Sequence, residues 1–108
     1  MKWMQKGSLG LLALSVAITA EARPVDREEA AVCNWGGGMA SLAQTNYLQG
    51  KSLAQFESAL QRGDYPKPWM PEMASGIAEI TYGLKSRNTP DKVEKDYVHD
   101  CIQHVLAN

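Results

Sequence analysis

Three consecutive glycines, Gly36 to Gly38, sit in the stretch AVCNWGGGMAS, and the apolar residues on either side keep one helical phase. Val32, Trp35, Met39 and Leu42 are spaced three, four and three apart, with Ala43 and Tyr47 close to the same stripe. A loop at the triplet would have no cause to preserve that phase, so the spacing predicts an unbroken helix running from Asp26 towards Gly50. Each glycine in a helix interior costs about 1 kcal/mol relative to alanine. An offsetting contact is therefore expected at Gly36, Gly37 and Gly38, with a neighbouring helix or a bulky side chain seated on the bare backbone; a kink at the triplet is the alternative. Phosphate binding is not indicated. A dinucleotide fingerprint needs a preceding strand and G-x-G-x-x-G spacing, and a P-loop needs a following Gly-Lys-Ser/Thr.

The chain opens with Lys2 and Lys6 ahead of the apolar run LGLLALSVAITA, whose last residue, Ala20, begins the small-residue stretch Ala20, Glu21 and Ala22. A charged start, a short apolar run and a small-residue site have the layout of a secretory signal peptide, with cleavage expected after Ala22. The run falls short of the roughly 20 apolar residues that cross a membrane. An uncleaved anchor is the competing reading, and no cysteine lies at the end of the run to carry a lipid. The expected organisation is a signal peptide over residues 1–22 and a single helical domain over residues 23–108, in the periplasm or secreted, with no stable membrane anchor after cleavage. In an oxidising compartment the two cysteines, Cys33 and Cys101, are expected to form a disulfide.

The 11 Lys and Arg against 12 Asp and Glu give a formal net charge of −1, and the signs are interleaved. A nucleic-acid or anionic-membrane surface would need clustered Lys and Arg, so neither partner is expected.

Helix signals recur along the chain. Asp26 is placed to cap the first helix, with Glu28 and Glu29 in its opening turn. Ser52 and Gln55 form a capping-box pattern before Leu53, Phe56 and Leu60, and Gly63 ends that helix. Pro66, Pro68 and Pro71 punctuate the segment DYPKPWMP, the one long connection. A third helix is expected from near Pro71 or Glu72, with Met73, Ile77, Ile80 and Leu84 as its apolar stripe. Thr89 as N-cap and Pro90 as first residue start a fourth, on which Val93, Tyr97, Cys101 and Val105 fall four apart, with Val98 and Ile102 flanking; Cys101 should point into the core. No segment alternates with a period of two, so no strand is expected. The fold expected is all-α: a compact four-helix antiparallel bundle stapled by one disulfide.

Asp96, Asp100 and His104 lie four apart on the last helix, with His99 nearby. Zinc wants three or four ligands dominated by thiolate or imidazole, and no further His or Cys cluster completes the shell, so a solvated polar face is the favoured reading and no metal or cofactor is expected. No serine sits in a strand-turn-helix elbow, the thiols are expected to be oxidised, and Glu28 with Glu29 is accounted for by the helix dipole, so the chain is not expected to be an enzyme. Tyr65, Trp69 and Met70, on the proline-stiffened connection, are the candidate partner-binding residues, because a rigid aromatic surface is the kind enriched at binding hot spots. The other reading folds Trp69 back over the core, even over the glycine triplet.

Cys33, the Gly50-Lys51-Ser52 step, Thr81-Tyr82, Pro90 and Cys101, behind an export signal, give a pattern that resembles a broad group of small exported bacterial helical proteins with a single disulfide between their N- and C-terminal parts. Two kinds in that group look similar: periplasmic immunity proteins, which neutralise delivered toxins, and periplasmic acid-stress chaperones. The resemblance implies a non-enzymatic binding protein with a protein partner, an immunity or inhibitor protein in its most concrete form. An acid-stress chaperone, or an accessory subunit of an enzyme, is the alternative.

Overall fold

A computed structural model describes residues 24–107. The expected export signal over residues 1–22 and its cleavage point lie outside them. The described chain forms four helices: α1 (Arg27–Leu48), α2 (Leu53–Gln61), α3 (Met70–Leu84) and α4 (Pro90–Ala107). No strand occurs among the described residues. The all-α, disulfide-stapled bundle of four helices is what the structure shows.

Each helix begins where local chemistry starts it. The Asp26 backbone N–H donates to the Glu29 carboxylate at 3.1 Å. The Ser52 box is closed in both directions: Ser52 N–H donates to Gln55 Oε1 at 2.8 Å, and Gln55 N–H donates to Ser52 Oγ at 3.1 Å. Lys92 N–H donates to Thr89 Oγ1 at 3.2 Å ahead of α4. Helix α3 starts at Met70, slightly earlier than its prolines suggest, with Pro71 in its first turn. It stops at Lys85, which adopts the left-handed conformation (φ 51°, ψ 36°) that glycine usually supplies.

Helix α1 runs through Gly36 to Gly38 without interruption, and it is the centre of the molecule. It packs against α4 on one side and against α3 on another, while α2 packs mainly on α3. No Cα of α3 comes within 8 Å of a Cα of α4. Helix α4 therefore leans on α1 alone, and none of its residues is fully buried.

This arrangement corrects three readings of the apolar stripes. On α1 the buried positions are Cys33, Gly36, Gly37, Ala40, Ala43 and Gln44, while Trp35 and Met39 are half-buried and Leu42 is exposed. A helix gripped from two sides buries two faces, and its smallest residues permit the closest approach. On α3 the buried face is Ala74, Ile77, Ala78 and Thr81; Ile80 and Leu84, read as core, are 66% and 69% exposed. Alanines set that face close to α1 and turn the larger residues outward. On α4, Cys101 is half-buried rather than part of the core, because only one neighbour covers it, whereas its partner Cys33 is sealed.

The core proper lies between α1, α2 and α3. Ala43, Phe56, Leu60, Ala74 and Ala78 form its buried cluster, with Trp35, Met39, Leu53 and Tyr82 packed around it. Tyr82 stacks on Phe56 and meets Tyr47 edge-on, and its hydroxyl donates to the Lys51 carbonyl at 2.9 Å. Burial holds the Tyr82 phenol above its ordinary pKa. Gln44, fully buried, donates from Nε2 to the carbonyls of Ser86 and Asn88 at 2.8 and 2.9 Å and so ties the α3–α4 link to α1.

Candidate binding surfaces

The Cys33–Cys101 disulfide joins α1 to α4 with a Cα–Cα distance of 5.7 Å. One turn further along the same seam, the glycines receive α4. A Cβ built on Gly36 would lie 2.6 Å from Tyr97 Cε1, and one built on Gly37 would lie 2.5 Å from Val98 Cγ2 and 3.4 Å from the Glu94 carbonyl oxygen. A side chain at Gly36 would have to displace the Tyr97 ring, and one at Gly37 would press on the β-branched Val98 and on the α4 backbone at Glu94. The expected compensation for the glycines is thus present at two of the three positions. Gly38 is the exception: nothing lies within 4 Å of its Cβ position, and it takes no part in the packing. Half-buried against this seam, the Tyr97 phenol has its pKa raised by desolvation.

The connection between α2 and α3 separates the three candidate partner-binding residues. Tyr65 folds back: its hydroxyl donates to the Leu60 carbonyl at 2.7 Å and its ring tip sits 3.2 Å from the Cβ position of Gly63. Trp69 precedes α3 as its N-cap and meets Trp35 edge-on, with ring centroids 5.5 Å apart. Trp35, Trp69 and Met70 line a cleft with Val32, and Glu28 and Lys67 stand at its rim. Trp69 stays 39% exposed, so it is neither sealed in the core nor laid over the glycine triplet, which α4 covers at Gly36 and Gly37 and nothing covers at Gly38. Sequence reasoning missed Trp35 as a member of this cleft, having assigned it to the core stripe of α1.

A second surface lies where α3 and α4 diverge from their shared link. Ala40 of α1 forms part of its floor; Ile80, Thr81 and Leu84 line one wall, and Val93 and Tyr97 the other. Asp96 and Asp100 stand on the α4 rim. The groove is open to solvent and holds about 390 Å³, against about 280 Å³ for the tryptophan cleft. The signal for this groove was present as the four-residue spacing of Ile80 and Leu84, which reads equally well as a buried stripe.

The polar face of α4 is solvated. Asp96 pairs with Lys92 at 3.1 Å, and both side chains are more than half exposed. Among the described residues no group of three or more His, Cys, Asp and Glu is gathered in the manner of a metal site. No described helix is long and apolar enough to cross a membrane. No family model, curated protein or solved structure matches this chain.

Proposed function

We propose that this chain is a small exported binding protein, acting in the periplasm or outside the cell, that captures a protein partner as an inhibitor or immunity protein captures its target enzyme or toxin. The observation that carries this reading is Trp69, a large aromatic left 39% exposed, braced edge-on by Trp35 and held on a segment stiffened by Pro66, Pro68 and Pro71. An aromatic ring that is already ordered before binding loses little conformational entropy on contact, and this favours hot-spot behaviour. A partner side chain that is apolar or aromatic fits between Trp35, Trp69 and Met70, with Glu28 and Lys67 offering one charge of each sign at the edge.

The disulfide supports an oxidising location, since such bonds persist outside the reducing cytosol. It also leaves no free thiol in the chain as a nucleophile.

The test is affinity capture from periplasmic extract and culture supernatant with the mature, oxidised protein and, in parallel, its Trp69→Ala variant, after circular dichroism has shown equal helicity. One protein retained in stoichiometric amount by the wild type and lost by Trp69→Ala is the expected result. Retention of the same set by both proteins, or of many unrelated proteins only in acid, would overturn the reading, the second outcome favouring a chaperone.

A further inference from the structure

We propose that the groove between α3 and α4 is a second docking surface and that its occupant is a cationic amphipathic helix of a partner protein, independent of the tryptophan cleft.

The groove occupies the position at which a closed four-helix bundle would bring its third and fourth helices together. Here those helices stay apart; on the facing sides Ile80 and Leu84 of α3 are exposed, and Val93 and Tyr97 of α4 are half-buried. Ile80 and Leu84 are the most exposed large apolar residues described, and they are adjacent on one face. Gly76 and Gly83 lie on that same face by helical spacing, and nothing stands within 4 Å of the Cβ position of either. At the α1–α4 seam Gly36 and Gly37 have another helix seated on them, while the exposed Gly38 does not. The α3 face offers the same kind of seat beside two large apolar side chains, which suits a helix more than a loop or a strand.

Charge selects the occupant. Asp96 and Asp100 edge the groove on the α4 side. Glu72 and Glu79, seven residues apart and exposed, fall along the far edge of the α3 face. The apolar strip is thus flanked by carboxylates on both sides; the pairing of Lys92 with Asp96 is an exposed one, of a kind worth little and readily exchanged. A helix with an apolar stripe between rows of Lys or Arg matches this pattern. A second copy of the chain would bring the same carboxylates, Glu72, Glu79, Asp96 and Asp100, to this face rather than cations, and that like-charge surface opposes self-association.

The probe is an 18-residue model peptide with a leucine stripe and lysine flanks, compared with its leucine-glutamate counterpart by fluorescence anisotropy against the intact, oxidised protein. The lysine peptide is expected to bind and the glutamate peptide not to bind. Ile80→Asp and Gly83→Leu should each weaken binding at least tenfold. Gly83→Leu changes no charge and projects into open space, so it separates seated docking from diffuse attraction between opposite charges and keeps the fold. Trp69→Ala should leave peptide binding unchanged, which keeps the outcome distinct from that of the tryptophan cleft. Equal binding by wild type and Gly83→Leu, failure of the lysine peptide to bind, or a sedimentation equilibrium in which the wild type dimerises and Ile80→Asp does not, would each overturn the proposal.

Discussion

The two sides of α1 are held by different physics. Towards α2 and α3 lies a conventional core, with Phe56, Leu60 and Tyr82 interlocked among alanines and buried apolar area as the main source of stability. Towards α4 there is no buried side chain on the partner helix at all; contact is made by Tyr97 and Val98 resting on the backbone of Gly36 and Gly37, and a covalent bond closes the seam. The contrast shows that a helix can be fixed in place without a core of its own when backbone approach is close and a cross-link removes the entropy of the detached state. It also explains why a groove stays open between α3 and α4. A helix that leans on one neighbour only leaves its other face, and the facing side of α3, open.

The largest break in this comparison comes from removing the cross-link. The disulfide spans a sequence separation of 68 residues, and closure of so long a loop stabilises by about 4 kcal/mol in the chain-entropy account. A Cys33→Ser, Cys101→Ser variant should lose about that much in urea unfolding. A loss below about 1 kcal/mol would mean that the glycine seam holds α4 unaided.

Next come the glycines, where one chemical change should act with opposite sign at adjacent positions. Gly37→Ala meets the β-branched Val98 and the Glu94 backbone, and overpacking of this kind costs about 2 kcal/mol. Gly38→Ala meets nothing, so the gain in helix propensity should stabilise by about 1 kcal/mol. Thermal melts of the two variants sharpen the account if their shifts diverge and break it if both fall the same way.

The smallest expected effect is a pH dependence. The folded-state pKa values of Tyr97 and Tyr82 are raised by burial, so folding favours the neutral phenols. Stability from this source is fully present below the ordinary phenol value of 10.0 and is lost as pH rises through the higher folded values. Tyr97→Phe should flatten part of that alkaline decline; an unchanged decline would place Tyr97 in water rather than against the seam.

Much of this architecture was legible in the sequence. The caps at Asp26, Ser52 and Thr89 are local chemistry, and an even pair of cysteines behind an export-like start reads as a disulfide in one step. The unbroken phase across Gly36 to Gly38 gave the continuity of α1 and the need for a neighbour upon it. Which face each helix buries was harder to read. On α1 and α3 the deciding residues are Gly, Ala, Cys, Gln and Thr, and a pattern search that weights large apolar side chains points past them to Leu42, Ile80 and Leu84. Gln44 illustrates the limit: its burial depends on carbonyls more than forty residues away, a pairing that no local spacing encodes. The tryptophan cleft was half legible, because Trp69 and Met70 stood out on the proline-rich connection while Tyr65 turned back and Trp35 arrived from another helix.

The most direct test of the division between the two sides of α1 is amide hydrogen exchange of the oxidised protein and of the same protein reduced by a dithiol, followed helix by helix. Reduction should strip protection from residues 90–107 and leave the protected amides of α2 and α3 in place, since regions with their own buried core open separately from those without one. Loss of protection in all four helices together, or full protection of α4 after reduction, would contradict the account.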